Sequence, residues 1–131
     1  MRVLFLCRAN VGRSQMAEAF FNGLSRTSRA ESAGTRASEG EPLHENVIRC
    51  MREAGYDVSG KRRRQLTAKM VAAADRIIVL CERSETPQGI AADSRTEFWD
   101  VPDAKDRSYE EHAAIRDRIR AKVVALVEAV G

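Results

Sequence analysis

Two short apolar runs, each followed directly by a cysteine, constrain the fold of this chain more than any other feature. They cover residues 3–6, which precede Cys7, and residues 77–80, which follow Arg76 in a predicted strand and precede Cys81. Apolar runs without polar alternation are typical of strands buried on both faces, as in parallel sheets. Parallel strands need crossover connections, and these are usually helices. The two runs therefore predict an α/β fold.

Segments with helical spacing alternate with the strands along the whole chain. Ser14 is a candidate N-cap for a helix whose apolar residues fall on one face. Further elements are predicted as helices from Pro42 to about residue 54, over residues 67–73 and from Ser108 onward, and as strands over residues 28–33 and 96–99. We predict one domain over residues 1–131, an α/β fold with a small doubly wound parallel sheet of about four strands flanked by helices.

Charge and cysteine content narrow the classes of function. Lys and Arg number 22 and Asp and Glu 19, so the net charge of +3 is too small to indicate nucleic-acid binding. No apolar run approaches the ~18 residues of a membrane span, and no export signal opens the chain. Three cysteines, an odd number, then predict a reduced, cytoplasmic protein without a disulfide framework. We also expect a monomer. The two histidines lack metal-ligand spacing, so neither a metal nor another cofactor is expected.

The segment from Cys7 to Ser14 has the composition of an oxyanion cradle. It reads Cys-Arg-Ala-Asn-Val-Gly-Arg-Ser and joins a predicted strand to a predicted helix. Backbone N–H groups of such a loop can converge on an anion, and the helix start adds partial positive charge. Arg13 offers two parallel donors to two oxygens of a tetrahedral anion. The candidate oxyanion-binding residues are Arg8, Ala9, Asn10, Val11, Gly12 and Arg13.

Cys7 lies at the base of this cradle, where it would face the central atom of a bound anion. A helix start and a nearby arginine favour the thiolate, which is the nucleophilic form of cysteine. The Ser14 hydroxyl can either donate to that thiolate or cap the helix. Asn10 can bond the loop backbone, and Gly12 can supply a turn with positive φ.

The sequence over residues 3–19 resembles the opening of the low-molecular-weight protein tyrosine phosphatase superfamily. That superfamily includes the thioredoxin- and mycothiol-linked arsenate reductases. The resemblance covers essentially the whole chain, with further matching segments at residues 32–35, 55–60, 66–67 and 99–103. It implies the phosphatase-like fold and assigns the nucleophile, the oxyanion clamp, the thiolate partner and the loop organiser to Cys7, Arg13, Ser14 and Asn10.

The same resemblance requires a proton donor in the second half of the chain. In the family, an aspartate followed by proline protonates the leaving oxygen. Asp103 takes that position here, although Ala104 replaces the proline. Asp100, in the same loop, is the alternative. A carboxyl group that acts as an acid needs partly dry surroundings, which Trp99 could provide.

Three departures from the phosphatase pattern bear on the reaction. Gln15 stands where the phosphatases usually have proline, and Cys81 matches the first resolving cysteine of the thioredoxin-linked reductases. Lys105 and Asp106 replace tyrosines that would wall an aryl ring. We therefore predict a thiol-coupled arsenate reductase acting on a small oxyanion. The alternatives are a phosphatase that hydrolyses phosphotyrosine through a phosphocysteine, and a non-catalytic phosphate-binding or thiol-sensing module.

A reductase needs a second thiol to release arsenite from Cys7, and the sequence leaves the source of that thiol open. Thioredoxin-linked members use a third cysteine after the second, and Gln88 stands there instead. Cys50 lies on the apolar side of a predicted helix, which indicates a core thiol. An external thiol from a thioredoxin, glutaredoxin or mycothiol system would open a Cys7–Cys81 disulfide or attack the Cys7 adduct directly. Cys81 could also be only a packing residue.

One charged run has two interpretations. Residues 61–64 read Lys-Arg-Arg-Arg. Such a run is usually a solvated face, and it could alternatively guide an acidic partner.

Overall fold

All 131 residues are described by a computed structural model. The chain forms four strands and five helices, and every two consecutive strands are separated by at least one helix. The strands are β1 (Arg2–Cys7), β2 (Arg29–Gly34), β3 (Arg76–Val79) and β4 (Thr96–Phe98). The helices are α1 (Arg13–Leu24), α2 (Glu45–Glu53), α3 (Ala68–Ala73), α4 (Gln88–Ala91) and α5 (Tyr109–Val130), with a 3₁₀ turn over Arg83–Glu85.

The strands form one parallel sheet in the order β2-β1-β3-β4. The chain moves from β1 to β2 on one side and later returns to place β3 on the other, so the strand order reverses beside β1. Ligands of doubly wound sheets bind beyond the carboxyl ends of the strands at such a point. The predicted four-stranded, doubly wound sheet is confirmed, and its switch point lies where Cys7 ends β1.

The register brings the ends of the two cysteine-bearing strands together. Leu6 of β1 pairs with Val79 of β3, and the Leu80 N–H donates to the Leu6 carbonyl at 2.7 Å. Cys7 and Cys81 therefore leave the same edge of the sheet. Strand burial fits this arrangement, because residues 3–7 and 77–80 are buried throughout.

The helices cover the sheet and bury its apolar side chains. The first and last helices, α1 and α5, pack against each other, and α2 packs against α5. Phe5 from β1 lies edge-on to Phe21 from α1 at a centroid distance of 6.0 Å. Apolar burial of this kind stabilises the fold by roughly 25 cal/mol per Å². No helix is both long and apolar enough to cross a membrane.

Two predicted helix starts are wrong. Gly12, not Ser14, occupies the N-cap position of α1, because the Ser14 hydroxyl bonds Cys7 and Asn10 instead. Helix α2 begins at Glu45 and not at Pro42, because Pro42 pairs in an extended bridge with Arg62. The cradle helix thus starts without a side-chain cap, which leaves its first N–H groups available to an anion.

Candidate active site

The cradle is the loop that connects β1 to α1, and the Cys7 sulfur lies at its base. Cys7 is 2% exposed. Its Sγ lies 2.9 Å from the Ser14 Oγ and accepts the Asn10 backbone N–H at 3.3 Å. Two polar groups therefore surround the sulfur from the loop and from the helix. Hydrogen bonds of this kind stabilise a thiolate more than a thiol.

The left-handed residue of the loop is Asn10, whereas the sequence suggested Gly12. Asn10 has a φ of 56°, and Gly12 has a negative φ of −141°. Asparagine tolerates the left-handed region because its short amide bonds locally. The Asn10 Nδ2 donates to Ser14 at 2.8 Å and to Ser32 of β2 at 3.0 Å. The amide thereby ties the loop both to its own helix and to the neighbouring strand.

The basic run over residues 61–64 contacts the cradle through its backbone, while the side chains of Lys61 and Arg62 stay exposed to solvent. The Arg64 N–H donates to the Asn10 Oδ1 at 2.8 Å, and the Gln15 Nε2 donates to the same oxygen at 2.9 Å. Gln15 also donates to the Arg62 carbonyl at 3.1 Å. Gln15 therefore links the helix start to this segment, a bond that proline at its position could not make.

Arg13 joins the cradle to the opposite wall of the site. Its side chain is 9% exposed, and its Nη1 donates to the carbonyls of Leu80 at 2.6 Å and Val101 at 3.1 Å. These bonds fix the guanidinium plane, so its remaining donors are preorganised for an anion. The Arg13 Nη2 lies 3.7 Å from the Asp103 Oδ2.

Asp103, and not Asp100, has its carboxylate beside the guanidinium. The Asp103 side chain is 57% exposed, and its Oδ1 accepts the Lys105 N–H at 2.9 Å. The Asp100 carbonyl accepts from Arg118 at 2.8 Å, a contact that faces α5. The geometry places Asp103 at the mouth of the cradle, while both aspartates line the larger neighbouring cavity.

Two cavities open on either side of Arg13 and Asp103, which line both. The larger, of about 640 Å³, is also lined by Cys81, Trp99 and Asp100. The smaller, of about 200 Å³, combines apolar residues with cationic ones. Its lining includes Val11, Met16, Ala104, Arg63 and Lys105. This smaller cleft therefore has cationic and aliphatic side chains and no Phe, Tyr or Trp in its lining.

Cys81 has a different environment from Cys7. It is 5% exposed, and its sulfur lies 3.6 Å from the Thr86 hydroxyl. Burial raises the pKa of the Cys81 thiol, with only partial compensation from Thr86. Cys50 is fully buried, and burial raises its pKa as well, which confirms the prediction of a core thiol. All three cysteines are free.

Glu18 and Ser32 belong to the site but were missed in the sequence. Glu18 is 2% exposed and accepts from the Ser32 hydroxyl at 2.9 Å. The available signal was the spacing of Ser14 and Glu18, which lie four residues apart on the buried side of α1, with Asn10 four residues earlier in the loop. A polar stripe on an otherwise apolar face indicates a bonded network.

Comparison with known proteins places the chain in a family. Residues 2–131 match the family model described as low molecular weight phosphotyrosine protein phosphatase, and the chain belongs to that family. An arsenate reductase of Brevibacillus brevis is 28% identical over 96% of this chain and 93% of its own. A glutaredoxin arsenate reductase of Synechocystis is 29% identical over 96% of this chain and 95% of its own.

A solved structure shows the same architecture. The low molecular weight protein tyrosine phosphatase from T. tengcongensis superposes with a TM-score of 0.87, at 26% identity over 98% of this chain and 99% of that one. The family of enzymes thus includes both arsenate reductases and phosphatases. The fold does not separate the two chemistries, so the choice depends on the side chains around the cradle.

Proposed function

We propose that this chain is a thiol-dependent arsenate reductase in which Cys7 is the nucleophile. The observation that carries the proposal is the Cys7 sulfur at the base of the cradle, held by the Ser14 hydroxyl and the Asn10 N–H. Arg13 and the loop N–H groups bind the oxyanion, and Asp103 donates the proton. Three free cysteines fit a reducing, cytoplasmic setting.

The first step forms an arsenic–sulfur bond. The Cys7 thiolate attacks arsenate in line, and one arsenic–oxygen bond breaks on the opposite side. Asp103 protonates the departing oxygen, which leaves as water. Arg13 stabilises the charge that the remaining oxygens gather in the transition state.

The second step reduces arsenic. A second thiolate attacks the Cys7 sulfur, a disulfide forms and the sulfur–arsenic bond breaks. The bonding pair passes to arsenic, which goes from As(V) to As(III) and leaves as arsenite. The two thiols lose the two electrons that arsenic gains, and a further thiol then opens the disulfide to regenerate Cys7.

The second thiol comes from solution in this proposal. Cys81 is buried, its pKa is raised and its sulfur lies beside Thr86, so it is not poised as a thiolate. The smaller cleft beside the cradle has Arg63 and Lys105 in its lining. These cations favour a thiol that carries a carboxylate. The Synechocystis relative is named a glutaredoxin arsenate reductase, and that name supports an external reductant.

The second candidate function is phosphate-ester hydrolysis through a phosphocysteine. The observation that favours it is the exposed Asp103 carboxylate at the mouth of the cradle, 3.7 Å from Arg13. An acid placed there could protonate an organic leaving group as readily as an arsenate oxygen. A phosphotyrosine ring packs best against flat apolar walls. The smaller cleft offers it cations and no Phe, Tyr or Trp side chain, whereas Phe98 and Trp99 line the larger cavity.

Side-by-side turnover distinguishes the two functions. Purified protein is incubated with arsenate and either 3-mercaptopropionate, 2-mercaptoethanol, thioredoxin or glutaredoxin, and arsenite release is measured. Hydrolysis of para-nitrophenyl phosphate and of phosphotyrosine is measured in parallel, with Cys7→Ser as the inactive control. We expect arsenite release, faster with 3-mercaptopropionate than with 2-mercaptoethanol. Phosphotyrosine hydrolysis without arsenite release would assign the phosphatase function instead.

A further inference from the structure

A buried carboxylate lies two hydrogen bonds away from the cradle loop. Glu18 on α1 is 2% exposed, yet its oxygens meet three donors. Its Oε1 accepts from Ser32 at 2.9 Å and from the Arg64 guanidinium at 2.8 Å, and its Oε2 accepts from Lys61 at 3.0 Å. A buried carboxylate is costly unless it is paired and fully bonded. Glu18 meets that condition through the basic run.

The orientation of the Asn10 amide is fixed by a donor that cannot be reversed. The Arg64 backbone N–H can only donate, so the atom it meets at 2.8 Å must be the Asn10 oxygen. Gln15 donates to the same oxygen at 2.9 Å. The Asn10 nitrogen therefore points the other way, toward Ser14 and Ser32.

The proton positions of both serines follow from this orientation. A carboxylate only accepts, so the Ser32 hydroxyl must donate to Glu18 and its oxygen accepts from Asn10. Asn10 also donates to the Ser14 oxygen at 2.8 Å. The Ser14 proton cannot point back at that N–H. Since the Cys7 sulfur lies 2.9 Å from the Ser14 oxygen, the hydroxyl proton is directed to the sulfur.

Glu18 supports both ends of the Asn10 amide. Through Ser32 it holds the nitrogen end, and through the Arg64 side chain it holds the segment whose N–H bonds the oxygen end. Cooperative networks of this kind strengthen each member bond. Loss of the Glu18 charge would release both ends together.

We propose that Glu18 is a positioning residue that directs the Ser14 hydroxyl proton onto the Cys7 sulfur through Ser32 and Asn10, with Lys61 and Arg64 holding its charge in place. The inference rests on the proposed role of Cys7 as a nucleophile, but it does not depend on which oxyanion is turned over. It also gives Lys61 and Arg64 of the basic run a function inside the protein.

Cys7 alkylation tests the proposal without any turnover. The rate of iodoacetamide labelling of the Cys7 peptide is measured by mass spectrometry at pH 6 and at pH 9. The rate at pH 6 divided by the rate at pH 9 reports the fraction of Cys7 that is thiolate at the lower pH. In Glu18→Gln we expect this ratio to fall about ten-fold, the value of a lost hydrogen bond to a charged group. Glu31→Gln, on β2 beside Ser32, removes the same charge outside the network and should keep the wild-type ratio.

A double-mutant cycle separates positioning from general destabilisation. Ser14→Ala alone should lower the ratio as Glu18→Gln does, and Glu18→Gln added to Ser14→Ala should lower it no further. Should Glu18→Gln fail to fold, Lys61→Met takes its place, with the exposed Lys69→Met as its control. The inference is overturned if Glu18→Gln folds and keeps the wild-type labelling ratio. It is also overturned if Glu18→Gln lowers the ratio as much in the Ser14→Ala background as it does in the wild type. A wild-type Cys7 that labels no faster at pH 6 than a free thiol overturns the nucleophile itself.

Discussion

Cys7 and Cys81 end neighbouring parallel strands, yet their surroundings differ in chemistry. The Cys7 sulfur meets a hydroxyl at 2.9 Å and a backbone N–H at 3.3 Å, and a helix of 12 residues starts beyond its loop. The Cys81 sulfur lies 3.6 Å from a hydroxyl, and a 3₁₀ turn of three residues follows it. Burial raises the pKa of Cys81.

The difference shows that a strand end gives a cysteine its position and the following loop gives it its reactivity. After Cys7, the chain turns through a left-handed Asn10, whose N–H donates to the sulfur. After Cys81, the turn is closed by its own capping box between Glu82 and Glu85, so its polar groups bond each other. Four predictions test this contrast.

The largest effect is expected from Arg13, whose side chain joins the loop after Cys7 to the Leu80 carbonyl just before Cys81. Arg13→Lys keeps the charge but loses the planar fork that bonds Leu80 and Val101 and faces the oxyanion. We expect kcat/KM for arsenate and for aryl phosphate to fall by about 10²-fold or more. Initial rates measure the loss, with Arg36→Lys, an exposed arginine after β2, as the matched control. Near wild-type kinetics would mean that the oxyanion binds elsewhere.

The next effect concerns the proton donor. Asp103→Asn should slow hydrolysis of aryl phosphates with poor leaving groups by about 10²-fold, and of those with good leaving groups much less, because poor leaving groups need the proton most. A series of substituted phenyl phosphates measures the slope of rate against leaving-group basicity. Asp100→Asn serves as the comparison, and the assignment is reversed if that variant alone shows the steeper slope.

Selective alkylation compares the two thiols directly. At pH 7, iodoacetamide should label Cys7 faster than Cys81 by about ten-fold or more. Because burial raises the pKa of Cys81, its labelling rate should still be climbing at pH 9.0, where the rate of an ordinary thiol begins to level off. Phosphate should protect Cys7 and leave Cys81 unchanged. Equal labelling of both at pH 7 would remove the contrast on which the proposed function depends.

The smallest effect is expected from Cys81 itself. With 2-mercaptoethanol as reductant, Cys81→Ser should keep arsenite release within about two-fold of wild type, since the external thiol attacks Cys7 directly. Mass spectrometry of peptides after turnover should then show Cys7 joined to the small thiol. Loss of arsenate turnover with aryl-phosphate hydrolysis intact, together with a Cys7–Cys81 cross-link, would make Cys81 the resolving cysteine.

Local patterns were sufficient to predict most of the architecture. Apolar runs marked β1 and β3, and Ser108 was correctly placed as the start of the last helix, where it caps α5. The pattern failed where a residue had a partner outside its own predicted element. Ser14 looked like a helix cap, but its hydroxyl bonds Cys7 and Asn10, and Pro42 looked like a helix start, but it pairs with Arg62.

The sequence by itself determined the parallel α/β sheet, the cradle between Cys7 and Ser14 and the pairing of a cysteine with an arginine on one loop, because all of these depend on neighbours within a few positions. Only the tertiary structure decided that Asn10 takes the left-handed turn, that Asp103 faces Arg13 at 3.7 Å, and that Lys61 and Arg64 bind a buried Glu18 more than 40 residues away. The physical reason is that a buried polar group must find its donors in space. A charged run read along the chain carries no record of the carboxylate that it will meet.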